Sequence, residues 1–344
     1  MASCLITIWE DEGIGMIIPE KKRKILYLNR RDVERVGLSM GKIIDAVENI
    51  LRDKSLAKAF MPPKHWLPIG DDSFFSAMSS YSDRLKAAVC KWQGGFPQNP
   101  SRGLPFIQGL LTLSDMRSGT PMAIMDSTWI TAMRTAAATA VAAKYLAVKD
   151  PQTVAILGCG LQGRTNLEAL HLVFSSLERV HAYDINDEAL RNYKEEMNRR
   201  FQITILPFSN PKEAMRDADI VVTAGPILKK PKPAIGASWL KRGGFGMALD
   251  YDSYWKPQAL KTVDKFCTDD VSQILHLKSF GYFLKVPPIY AEIGDIISGK
   301  KKGRESKEER IVSMHLGVSV EDLATAIRIY RKAKELGIGK MLHL

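Results

Sequence analysis

Cysteine is scarce in this chain: four residues in 344, at Cys4, Cys90, Cys159 and Cys267. No two stand at a paired or metal-type spacing, which argues against a disulfide framework and predicts a reduced, cytoplasmic setting. The six histidines, at 65, 171, 181, 276, 315 and 343, never form a ligand pair, so no metal site is expected. Long apolar runs are missing as well. The opening MASCLITIWEDEGIGMIIPEKKRK has apolar pieces, but Glu10, Asp11 and Glu12 break them before they could span a bilayer or form a signal core. Residues 1–24 therefore read as an N-terminal extension, and no membrane partner is expected. The formal net charge is +11, yet Lys and Arg are dispersed, with short runs only at Lys21–Lys24 and Lys300–Arg304. Neither run interleaves with aromatic residues, so the charge reads as solvated surface plus attraction for small anions, and nucleic acid is not an expected partner. No internal repeat or low-complexity tract is visible.

What is present is TVAILGCGLQG at 153–163, an apolar strand that empties into Gly158-x-Gly160-x-x-Gly163. A glycine triplet alone is a weak signal, but here both flanks agree. The run before it suits a buried parallel strand, and residues 165–177 place Leu167, Leu170, Val173, Phe174 and Leu177 at helical spacing. A second strand, 179–183, ends at Asp184, about 20 residues beyond the glycines, where an acidic group can bind the adenosine ribose hydroxyls. A 2′-phosphate there would meet a like charge, so NAD is favoured over NADP. Gly158 permits the turn, Gly160 admits a pyrophosphate to the backbone, Gly163 lets helix pack on strand, and the helix N-terminus favours the phosphates. Thr223, ending a strand at 219–223, is expected at the same cofactor.

Around this unit the pattern alternates strand and helix: 187–200 helical, 202–206 extended, 210–217 helical, 219–223 extended, with further strands at 244–249 and 264–268. That alternation predicts a doubly wound parallel α/β sheet of Rossmann type over 131–300. Residues 272–300 read as irregular to helical. Upstream, residues 25–130 show a strand at ILYL, a helix over 39–57 and short strands near 63–69, 73–78, 86–93, 107–114 and 121–126. A long Ala-rich helix at 128–147 leads into the nucleotide domain. An amphipathic helix over 319–336 is expected to rejoin the first domain, making that α+β domain discontinuous, with 301–344 as its second part.

Three cations of the first domain lie in apolar company: Lys64 after Met61-Pro62-Pro63, Lys91 between Cys90 and Trp92, and Arg134 inside the small-residue helix. Buried charge requires a partner. A structural salt bridge would satisfy any one of them, whereas the three together suggest a carboxylate cradle, with Arg134 suited to bidentate contact and a lysine able to exchange protons.

MPPK at 61–64, KWQGGFPQNPSRGLP at 91–105, GTPMAIMDSTWITAMRTAAATAVAAKYLA at 119–147, GCGLQG, and EIGDIISGKKKGRES at 292–306 together resemble the ornithine cyclodeaminase/mu-crystallin family, and within it the archaeal-type alanine dehydrogenases. The resemblance implies a homodimer joined through the first domain, NAD(P) in the second and a small amino, imino or oxo acid between them. By motif, Lys64, Lys91 and Arg134 would hold the substrate α-carboxylate, Lys91 doubling as acid/base. Gln162 matches a glutamine common in the glycine loop, Met78 matches a methionine expected at the substrate, and Asp250 matches the aspartate of G-A-D.

Two departures qualify this. The P-G-K that usually follows the aspartate is replaced by Tyr251-Asp252-Ser253-Tyr254-Trp255, which makes Asp252 an alternative to Asp250. The cyclodeaminases carry a glutamate two residues before the methionine, where this chain has Ser76, a poor base unless Asp72, Asp83 or Asp252 substitutes for it. The expectation is NAD(H)-dependent hydride transfer at the α-carbon of a small L-amino acid or its imine, as in an amino acid dehydrogenase or imine reductase. Ornithine cyclodeaminase and a nicotinamide-dependent, mu-crystallin-like binding protein are the alternatives.

Overall fold

A computed structural model describes residues 23–70 and 72–344. The expected N-terminal extension, with Cys4, lies almost wholly outside the described residues. The elements of the first part are β1 (Lys24–Leu28), α1 (Arg30–Arg35), α2 (Met40–Ser55), β2 (Ala59–Phe60), β3 (His65–Ile69), β4 (Ser73–Ser82), β5 (Ala87–Gly95), β6 (Ile107–Asp115), β7 (Pro121–Asp126) and α3 (Thr128–Leu146). The second part contains β8 (Thr153–Leu157), α4 (Leu161–Val173), β9 (Arg179–Tyr183), α5 (Asp187–Arg200), β10 (Thr204–Phe208), α6 (Pro211–Met215), β11 (Ile220–Thr223), β12 (Phe245–Ala248), α7 (Pro257–Leu260), β13 (Lys265–Thr268), α8 (Val271–Lys278), β14 (Ala291–Glu292), α9 (Ile293–Ile297) and β15 (Ile311–Met314). The chain closes with α10 (Ser319–Leu336) and β16 (Lys340–His343).

Two sheets result. The first runs β16-β1-β7-β6-β5-β4-β2 with β3 paired to β4, and most of its ladders are antiparallel. The second runs β10-β9-β8-β11-β12-β15-β13-β14 and is parallel throughout. Its strands Val154–Leu157, Ile220–Thr223 and Ile311–Met314 are buried end to end and mostly apolar because helices cover both faces of a parallel sheet. α3 is buried along nearly its whole length; its alanines let α2, α4 and α10 approach closely, which welds the two halves together.

The return to the first sheet comes later than residue 301. Residues 311–314 form a central strand of the parallel sheet, between β12 and β13, because Ile311 and Val312 are as apolar as the strands beside them. α10 and β16 alone make the return, β16 pairing antiparallel with β1. The helix after the glycines also begins earlier than its apolar spacing suggests, at Leu161, since Gly160 is its N-cap. Among the described residues no helix is long and apolar enough to cross a membrane.

Candidate active site between the two sheets

The glycine loop joins β8 to α4 at the carboxyl edge of the parallel sheet. Gly158 has φ +112°, and a Cβ there would lie 2.7 Å from the Ala224 backbone. A Cβ on Gly163 would lie 2.2 Å from the Gly158 carbonyl oxygen, whereas one on Gly160 would meet nothing within 4 Å. The first and third glycines are thus demanded by packing. The second leaves open space at a helix N-terminus, where a pyrophosphate fits. Asp184 accepts from the Cys159 backbone N–H at 2.7 Å and the Asn186 N–H at 2.9 Å, which ties the loop to the end of β9. These residues suit NAD.

Facing them is a cavity of about 1010 Å³. Gly158, Gly160, Gln162 and Asp184 line its nucleotide end; Lys64, Arg134, His315 and Glu321 line the other. Lys64 is buried, donating to the Leu316 carbonyl at 2.6 Å and to the Tyr251 hydroxyl at 3.2 Å. Burial pulls its ammonium down to about 7, with Asp269 opposing the shift and Arg134 adding to it. Arg134 bonds Asp322 Oδ1 through Nε at 3.1 Å and Glu321 Oε2 through a terminal nitrogen at 3.0 Å. Burial alone would lower its pKa, but Asp322, Glu321 and Asp269 outweigh that and hold the guanidinium charged. Gly317, with φ +78°, lies flat against it: a Cβ would come 2.6 Å from a guanidinium nitrogen.

Lys91 sits one layer deeper than the sequence suggests. It is fully buried, ion-paired to Asp322 at 2.7 Å and bonded to Thr131 Oγ1 at 3.2 Å, and it is not on the cavity wall. The cause is α10, which packs Asp322 between Lys91 and Arg134. Asp250 is likewise turned away from the cavity. It accepts from Thr223 Oγ1 at 2.8 Å and the Gly225 N–H at 3.1 Å, and burial pushes it up to about 7 against those two bonds. Thr223 therefore serves Asp250, and neither lines the cavity. Asp252 accepts from the Phe283 N–H, Asp72 from the Lys229 N–H, and neither of these nor Asp83 reaches the wall. Met78 and Ser76 are buried behind it.

Three residues at the site escaped sequence reasoning. Glu321 and Asp322 open the amphipathic α10, where acidic residues in the first turn read as helix-dipole partners. Glu321 is buried; its Oε1 has no partner, and burial raises it to about 8 although Arg134 opposes. His315, just after β15, is buried with both ring nitrogens unpartnered; burial lowers its pKa, Asp269 opposing and Arg134 reinforcing. A local signal for the first two is a Glu-Asp doublet set among the apolar and small residues Val318–Ile327, but it names no partner. Among the described residues no group of three His, Cys, Asp or Glu could hold a metal ion.

The family model for "Ornithine cyclodeaminase/mu-crystallin family" matches residues 24–337. The chain belongs to this family. The Δ1-pyrroline-2-carboxylate reductase of Thermococcus litoralis, solved with NADH and L-proline, superposes with a TM-score of 0.83 at 31% identity, covering 92% of this chain and 99% of that one. An archaeal alanine dehydrogenase dimer with bound NAD gives 0.82 at 32% identity, covering 93% and 99%. The N-((2S)-2-amino-2-carboxyethyl)-L-glutamate dehydrogenase of Staphylococcus aureus is 31% identical over 338 residues, 94% of this chain and 99% of that protein. Relatives with three different substrates stand at the same distance, so the chemistry of the pocket must distinguish them.

Proposed function

We propose that this family member is an NAD(H)-dependent oxidoreductase that moves hydride between the nicotinamide and the α-carbon of a small L-amino acid or its imine. The observation that carries this reading is a single cavity with a dinucleotide cradle at one end and two buried cations at the other. When bound, NAD supplies the hydride acceptor. Gly160 and the α4 N-terminus would hold its pyrophosphate, and Asp184 its adenosine ribose.

Lys64 and Arg134 hold the substrate carboxylate, and that negative charge restores the proton that burial takes from Lys64. Lys91 acts through Asp322, fixing Arg134 rather than touching the substrate. The wall groups that can hold or release a proton near neutrality are Lys64 and Glu321. Glu321 Oε1 is free to take a proton from the substrate amine, with His315 as a neutral neighbour to hydrogen-bond the amine or the water that hydrolyses the imine. Among the described residues the carboxylates on the cavity wall are Asp184, at the nucleotide end, and Glu321. Ser76 has no acidic substitute beside it, which favours net oxidation and reduction over cyclodeamination.

The open face of the first sheet, with Trp92, Leu110, Tyr81 and Phe60 exposed, suits a homodimer. Nicotinamide absorbance with a panel of oxo acids plus ammonia, beside proline release from ornithine with catalytic NAD, tests the reaction. Stoichiometric NADH consumption with an oxo acid and little proline from ornithine is the expected pair. Proline formed without net NADH change would reverse the order, and the absence of any turnover would leave only a binding protein.

A further inference from the structure

The first sheet presents the substrate end of the cavity as three successive rows. Strands pair so that residues directly opposite one another share a face. Met78 faces Lys91, and Lys64 stands one residue before the pair His65 and Ala77, so the cations begin the series. Two residues along each strand the row is Trp66, Ser76, Gln93 and Gly109. Two further on it is Pro68, Phe74, Gly95 and Ile107. Lys64, Trp66, Gln93, Phe74 and Ile107 all line the cavity, so it runs across the three rows.

The middle row is anomalous. Trp66 is 3% exposed, Ser76 0% and Gln93 7%, yet Trp66 Nε1, Ser76 Oγ and Gln93 Oε1 have no hydrogen-bond partner. Polar atoms buried this deeply are nearly always paired, because an unmade bond costs the full desolvation of the group. Three orphans in one register row, two of them on a cavity wall, point to a partner that arrives with a ligand. Neither this row nor the next contains an ionisable side chain, so a charged head buried here would find no counter-charge on either row. The Trp66 N–H needs an acceptor and the Gln93 carbonyl needs a donor.

We propose that this row is the side-chain subsite and that it selects an uncharged carboxamide head, which offers one acceptor and one donor. The row lies two strand residues, about 7 Å, from the cations, a span that a carboxylate at Lys64 and Arg134 and a side chain of glutamine length cover. The proposal rests on the hydride-transfer reading for the placing of that carboxylate. Phe74, whose ring lies over Gly95 and stacks on Trp66 with centroids 4.0 Å apart, closes the far end.

Two measurements separate this subsite from the reaction. Calorimetric titration of the protein–NADH complex with L-glutamine, L-glutamate, L-methionine and L-lysine reads the subsite without turnover. L-Glutamine is expected to bind at least about tenfold more tightly than the other three. In Trp66→Phe and Gln93→Leu the ratio of glutamine to methionine affinity should fall by about tenfold, with NADH affinity reporting that each variant is folded; should one fail to fold, the parent ranking decides. Methionine, glutamate or lysine binding as tightly as glutamine would overturn the proposal, because the orphan atoms would then be serving water. Glutamine preference without nicotinamide turnover would leave the subsite standing and sink the hydride-transfer reading. Turnover without the preference would do the reverse.

Discussion

At the scale of single residues, the site is a set of charges whose neighbours decide which of them can act. Lys64 and Lys91 are both buried lysines, but Asp322 pairs directly with Lys91, whereas Lys64 has a carbonyl and a hydroxyl. Lys64 is held near 7 and Lys91 near 8. In the proposed clamp, the cationic form of Lys64 is the one that would hold a carboxylate. As pH rises through about 7 in the free enzyme that form is lost, and kcat/KM should fall by about tenfold per pH unit. Lys64→Arg keeps the charge and should move this limb to higher pH, which a pH profile of kcat/KM checks; an unchanged limb would remove Lys64 from the clamp. The same shift bears on folding. Between pH 7 and about 10.4 the unfolded chain keeps a proton that the folded one has released, so this contribution to stability grows with rising pH and is lost as pH falls through the folded value.

At the scale of elements, β8, the glycine loop, α4 and β9 form one unit whose parts need each other. The Asp184 carboxylate takes the Cys159 N–H, so the loop and the end of β9 are a single hydrogen-bonded piece. Asp184→Ser removes the negative charge facing an adenosine 2′-position and keeps an acceptor for the loop. The ratio of NADP to NAD in kcat/KM should rise by at least about tenfold, roughly 1.4 kcal/mol. Steady-state rates with both cofactors test this, and a parent enzyme that already preferred NADPH would refute the assignment. This unit was legible in the sequence because all its signals are local: a β-branched run, three glycines at fixed offsets and an acid at the next strand's end. The carboxylate side was legible only in part. Lys64 and Arg134 stood out as charges in apolar company, but the partners of Arg134, Glu321 and Asp322, lie nearly 190 residues beyond it, and nothing in strand or helix periodicity reports a contact of that range.

At the scale of the whole molecule, the first sheet has one face covered by α2, α3 and α10 and the other open. Along β4 the outward positions are Phe75, Ala77, Ser79 and Tyr81, and along β5 and β6 Trp92 lies opposite Leu110. Phe75 stacks on Trp92 with centroids 5.3 Å apart. A contiguous apolar face of this kind marks an interface, and the proposed homodimer would cover it. Light scattering on the purified protein should give twice the 38.4 kDa chain mass. Trp92→Glu should shift the species to monomer at low micromolar concentration. A parent that is monomeric throughout would remove the dimer.

The sequence by itself determined most of the strands and helices, though not β15 or β16, together with the parallel nucleotide sheet, the glycine turn and its acid, and the presence of three cations too buried to be solvated. Each follows from side-chain periodicity or from backbone stereochemistry within a few residues. Tertiary structure alone decided which of those cations line the cavity. α10 crosses back to set Asp322 between Lys91 and Arg134, which withdraws Lys91 from the wall and leaves Lys64 there. Thr223 and the Gly225 N–H turn Asp250 inward, and β15 carries His315 to the cavity wall. Whether a buried charge acts on a substrate or on its neighbour depends on distances across the fold, and in this molecule those distances are set by segments far apart in the chain.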